Sequence, residues 1–136
     1  MDKKMIQMAQ AVRESAYAPY SNFKVGAALL GKSGKIYQGC NIENMSYGLT
    51  ICAERVAAVK AISEGERNFK KIAIVADTNK PCPPCGMCRQ FLYEFSPDME
   101  IIMANLEGEI LKVALKCQLP PSMIHPSPRT LTHPVE

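Results

Sequence analysis

Three cysteines at equal spacing, Cys82, Cys85 and Cys88 in the stretch PCPPCGMCRQ, constrain this 136-residue chain more than any other feature. A C-x-x-C pair serves structural zinc, catalytic zinc and thiol redox chemistry alike, so the pair alone leaves all three open. The rest of the chain narrows the choice. Three further cysteines are present, Cys40, Cys52 and Cys117, but only two histidines, His125 and His133, both in a proline-rich tail. A metal site here has to be built mostly from thiolates. The start, MDKKMIQMAQAV, carries no long apolar run and no small-residue cleavage site, so the expected location is cytoplasmic. In a reducing cytosol, clustered cysteines mean metal or catalysis more often than disulfides.

The length suits a single domain over 1–136 with a core that needs no staples. A net charge of +3 is too weak to argue for nucleic acid, and apolar runs such as VGAALL are far too short to span a bilayer. Met5, Met8, Ala9, Val12 and Ala16 recur at helical spacing. FKVGAALL and KIYQGC read as a hairpin around GKSG. CAERVAAVKAISEG reads as a helix stopped by Gly65, and its many apolar sides predict burial on both flanks. KIAIVAD, with little alternation, reads as a central covered strand.

The second cysteine cluster opens a helix whose Met87, Phe91, Leu92 and Phe95 share a face. MEIIMAN and EILKVAL read as two more strands around LEGE, and the tail from about 119 has no periodicity. This order predicts a layered α/β fold, a mixed sheet of about five strands with helices on its faces. Cys40 and Cys117 read as core or strand residues, and the methionines as core.

Cys52 opens one predicted helix, Cys85 and Cys88 another. Helix starts offer free N–H groups and the positive end of the helix dipole, both favouring thiolate over thiol. Residues three apart face the same side of a first turn, and Pro84 suits a helix start. Two such starts meeting end to end would bring three sulfurs to one ion. Zinc suits three sulfurs, and its fourth tetrahedral position would stay open to water. Glu54, two residues after Cys52, could stand beside the metal without ligating it and carry protons. On its own, a glutamate there is usually a carboxylate favoured by the helix dipole. Three thiolates leave a zinc centre at about −1. Arg55 or Arg89, each next to a cysteine of the cluster, could compensate by donating to sulfur.

CAE followed by PCGMCRQ resembles the zinc signature of the cytidine deaminases, with Cys52 where many members have His. YAPYSNFKVGAALL and GCNIENMSYGLTICAER resemble further segments of the short, homotetrameric, all-cysteine type, in the same order and at similar spacing. The resemblance covers roughly Tyr17 to Asn105. It implies a three-layer α/β/α fold and one Zn²⁺ per chain held by Cys52, Cys85 and Cys88. It also implies hydrolytic deamination of cytidine and deoxycytidine in pyrimidine salvage, with zinc-bound hydroxide attacking C4 and Glu54 as proton shuttle.

By the same resemblance Asn41 and Glu43 bind the ribose, Phe23 lines the pyrimidine, Tyr47 lies near the sugar, and the chain forms a homotetramer. Read without it, Phe23 is plain core, and Asn41 and Glu43 are turn residues. The chain departs from the family where Met123 stands at about the place of a phenylalanine, and in the extra Cys82 of CPPC. Three other readings stay open. One is an aminohydrolase for a modified cytosine nucleoside such as blasticidin S, against which the intact NIEN favours an ordinary ribose. Another is a non-catalytic zinc module closed by Cys82. The third is a thiol oxidoreductase using Cys82 and Cys85.

Overall fold

The computed structural model describes residues 1–81 and 84–118. Cys82, Met123, His125, His133 and the proline-rich tail lie outside the described residues. The chain runs α1 (Asp2–Arg13), β1 (Val25–Gly31), β2 (Ile36–Cys40), α2 (Ala53–Ser63), β3 (Phe69–Ala76), α3 (Gly86–Phe95), β4 (Glu100–Ala104) and β5 (Ile110–Ala114). Short 3-10 turns lie at Tyr47–Leu49 and Leu115–Gln118. The five strands form one sheet in the order β2-β1-β3-β4-β5. Only β3 and β4 pair in parallel, and the helix between them, α3, supplies the crossover such a pair needs; the other neighbours are antiparallel.

Helices cover both faces, which gives the expected three layers. On one face α1 sets Met5 and Ala9 onto Ala28, Leu30, Ala73, Val75 and Ile102. On the other, α2 and α3 close over Leu29, Ile72, Ile74, Ile101 and Met103 with Ala57, Ala61 and Leu92. The central strand β3 is buried from Ile72 through Ala76, in keeping with its unbroken apolar run.

Two glycines let the helices come close. A β-carbon on Gly26 would meet the Ala9 carbonyl oxygen under α1 at 1.9 Å. One on Gly39 would meet the Ala53 oxygen and the Ala57 nitrogen of α2, each at 2.5 Å. Ala53, Ala57 and Ala61, four residues apart and fully buried, turn a smooth small-residue edge of α2 to that approach.

Some expectations need correction. Met87 does not share the buried face of α3; it is 67% exposed, because the buried stripe runs through Cys88 and Leu92, four apart, and Met87 stands to its side. Met1 and Met45 are also exposed, so the methionines are not uniformly core. Val59 of α2 is exposed, since the sheet and α3 cover only part of that helix. Cys117 is exposed in the turn after β5, whereas Cys40 ends β2 half-buried.

Candidate active site

Cys52 and Cys85 are the N-cap residues of α2 and α3, both with extended backbone. An N-cap side chain naturally turns back over the free N–H groups of the first turn. Cys85 does so, its Sγ accepting from the Cys88 N–H at 3.4 Å. The Cys52 and Cys85 sulfurs are 3.6 Å apart, those of Cys85 and Cys88 3.1 Å, and all three lie within 4.8 Å of one another. Sulfurs around a tetrahedral zinc with bonds of about 2.3 Å stand about 3.8 Å apart, so a small opening of the Cys85–Cys88 pair would seat the ion. Among the described residues only these three side chains make up the cluster.

Charge at the cluster is organised around Cys52. A hydrogen bond from the Cys88 thiol, followed by one from Arg55, lowers Cys52 to about 5. The same claim on its proton, with burial, pushes Cys88 far up. Arg55 Nη2 donates to the Thr50 carbonyl at 3.1 Å and points at Cys52 Sγ at 3.9 Å. Its Nε is buried and has no partner among the described residues, a free donor beside a cluster that becomes more negative when all three thiols ionise to bind a metal. Arg89 instead braces the turn ahead of the cluster, Nε donating to the Pro84 carbonyl at 2.8 Å. Glu54, in the first turn of α2, is 4% exposed. Burial raises its carboxyl to about 7, and the neighbouring Cys52 thiolate adds to the effect.

A cavity of about 330 Å³ opens over this centre, with Phe23, Asn41, Glu43, Cys52, Glu54 and Cys85 in its walls. Asn41, just past β2, is buried and clasps the chain around Lys24. Its Oδ1 accepts from the Val25 N–H and its Nδ2 donates to the Phe23 carbonyl, both at 2.8 Å. One N–H of the amide remains for a ligand. Glu43 collects the backbone N–H groups of Tyr20 and Ser21, at 3.0 and 3.1 Å, and the Ser21 hydroxyl. These bonds, the hydroxyl foremost, hold its carboxyl below the usual glutamate range. Tyr47 does not line the cavity. It is 86% exposed and borders an adjoining groove with Tyr20, Asn44, Ser21, Glu43 and Thr50.

Ser21, Val25, Thr50 and Ile74 also line the cavity and were not expected. Strand alternation locates Ile74 only once the sheet faces are known. Ser21 and Thr50 are loop hydroxyls without periodicity; nearness to Phe23 and to Cys52 is the one signal they carry.

Residues 1–104 match the family model described as the cytidine and deoxycytidylate deaminase zinc-binding region. A cytidine deaminase of Halalkalibacterium halodurans is 53% identical over 122 residues, covering 88% of this chain and 92% of that one. The crystal structure of a cytidine deaminase from Burkholderia pseudomallei superposes with a TM-score of 0.86 at 46% identity, covering 89% of this chain and 98% of that one. A blasticidin-S deaminase of Bacillus cereus is more distant, at 27% identity over 125 residues, 85% of this chain and 89% of that one. With a zinc-fitting trio of sulfurs beside a buried carboxyl, and a match spanning most of its length, this chain belongs to the cytidine and deoxycytidylate deaminase family.

Proposed function

We propose that the chain is a zinc-dependent cytidine deaminase, converting cytidine or deoxycytidine and water into uridine or deoxyuridine and ammonia. The observation that carries this reading is the buried Glu54 carboxyl beside three clustered sulfurs in the wall of a nucleoside-sized cavity. Cys52, Cys85 and Cys88 hold the zinc, which when bound acts as a Lewis acid that makes water nucleophilic at neutral pH. Arg55 offsets the excess thiolate charge.

Glu54 takes the proton that water sheds on attacking C4, passes it to ring N3, and serves the departing amine in turn. A carboxyl raised to about 7 suits this work, since it both accepts and gives up a proton near neutral pH. Phe23 offers a flat apolar wall to the pyrimidine. Glu43 accepts from a sugar hydroxyl, and the remaining Asn41 N–H donates to one. No lysine or arginine lines the cavity among the described residues, while Glu43 brings a negative charge to it. That balance favours a nucleoside over its phosphate.

Tyr47 in the groove that adjoins the cavity, and Met45 and Leu49 two residues either side of it, are all more than half exposed; they favour assembly with further copies, and we take the assembly to be a homotetramer. No described helix is long and apolar enough to cross a membrane. Cytoplasmic pyrimidine salvage is the role we assign. The test pairs zinc per chain with the loss of cytidine absorbance, for wild type and Glu54→Gln. One zinc in both proteins with turnover only in wild type is expected; turnover by the variant would remove Glu54 from the mechanism.

A further inference from the structure

We infer that Ser21 is a positioning residue for sugar recognition, one that aims the Glu43 carboxylate into the cavity. The inference rests on the reading of Glu43 as a sugar contact given above. Glu43 follows β2, whereas Ser21 lies 22 residues earlier in the loop ahead of β1, so nothing local to Glu43 fixes its side chain. Left unanchored, a glutamate samples many rotamers, and ordering it on binding would weaken affinity.

The loop around Ser21 removes that freedom. The Ser21 hydroxyl donates to one Glu43 oxygen, while the N–H groups of Tyr20 and Ser21 donate to the other. The Ser21 rotamer is itself pinned, because its Oγ accepts from the Phe23 N–H at 3.0 Å. Between those two residues Asn22 takes a left-handed backbone, φ 58°, and its own N–H donates to the Ala18 carbonyl at 3.0 Å. Asparagine tolerates this conformation better than most side chains. The bend lets residues 20–23 wrap the carboxylate instead of running past it.

Ser21 acts through Glu43 and not on substrate directly. A serine hydroxyl has one proton to donate, and Ser21 spends it on Glu43. One of its lone pairs faces the Phe23 N–H. It borders both the cavity and the adjoining groove, yet has no donor left for a ligand.

The experiment compares wild type, Ser21→Ala, Ser21→Thr and Glu43→Gln on cytidine, 2′-deoxycytidine, 3′-deoxycytidine and 2′,3′-dideoxycytidine. Ser21 is exposed, so the alanine variant should fold and melt like wild type. For Ser21→Ala we expect KM for cytidine to rise about tenfold with kcat within about twofold, the loss of one hydrogen bond to a charged group. On the dideoxy substrate the same variant should lie within about twofold of wild type, because no ring hydroxyl remains for Glu43 to hold. Ser21→Thr, which keeps the hydroxyl, should retain wild-type selectivity. If Ser21→Ala loses the same factor on all four substrates, or loses nothing, while the Glu43→Gln deficit tracks the sugar hydroxyls, this inference is overturned and the reading of Glu43 stands. If Glu43→Gln is itself indifferent to the sugar hydroxyls, that reading falls and this inference with it.

Discussion

Gly39 of β2 lies so close to Ala53 of α2 that a β-carbon on it would stand 2.5 Å from the Ala53 carbonyl oxygen. The obstacle is backbone, so no side-chain rotation relieves it, and the helix itself has to move. Ala53 stands between Cys52 and Glu54, and that movement would carry the proposed ligand and the proposed proton carrier away from Cys85 and Cys88. Gly39→Ala should therefore weaken zinc binding by about tenfold or more, and lower kcat more than it raises KM. Gly26→Ala is the matched comparison, with its own clash of 1.9 Å against α1 on the opposite face. It should destabilise the fold without changing zinc affinity. Thermal melts and zinc titration against a chelator separate the two; equal zinc affinity in both variants would reduce Gly39 to packing.

The elements and the sulfur trio were readable for the same reason: each depends on short-range pattern. Cys52, Cys85 and Cys88 come together because they start helices, and helix starts are marked by local residues such as Pro84 and the apolar spacing that follows. Met87 shows the limit of that reasoning. Helical spacing defines a stripe but not how wide its cover is, and on α3 the cover takes in Cys88 and Leu92 but leaves Met87, beside them, exposed. Ser21 shows a second limit. Its importance arises from a partner 22 residues away across a hairpin, which no spacing rule encodes. Tyr47 shows a third: it was expected near the sugar, and only the folded loop shows that it stands exposed beside the groove and outside the cavity.

The cysteines should divide into two groups. Serine at Cys52, Cys85 or Cys88 should abolish stoichiometric zinc and lower cytidine turnover about a thousandfold or more, the scale of losing a metal's charge stabilisation. Serine at Cys40 or Cys117, which stand outside the sulfur cluster, should leave both unchanged. Metal analysis of the five purified variants decides the matter. Full zinc in any of the first three would mean that another ligand replaces that sulfur.

Asn41 ties down the backbone of Phe23 and Val25 in the cavity wall. Asn41→Ala would strip partners from the Val25 N–H and the Phe23 carbonyl, each now bonded at 2.8 Å. We expect a loss of about 2 kcal/mol in stability and a rise in KM, because Phe23 is no longer held. Urea unfolding and steady-state kinetics report the two effects. A rise in KM without any loss of stability would make Asn41 a substrate contact alone.

Asp2 should govern part of the acid stability, far from the active site. Its carboxylate lies 2.7 Å from both Lys71 and Lys112 and ties α1 to β3 and β5. Lys112 first, then Lys71, lowers its pKa from an ordinary value near 3.8 to about 2. Since the folded value lies below the unfolded one, the carboxylate contributes stability above about pH 4 and loses it as the pH falls from about 4 to about 2. Unscreened, such a shift would correspond to about 2.5 kcal/mol. The Lys112 side chain is half exposed and solvent weakens the pair, so about 1 kcal/mol is the realistic scale. At neutral pH Asp2→Asn should melt about 3 °C below wild type. The two melting curves should converge by about pH 2, and 1 M salt at neutral pH should narrow the gap. A gap that stays the same at pH 2 cannot come from the carboxylate charge, and would point instead to a change in how the first turn of α1 is formed.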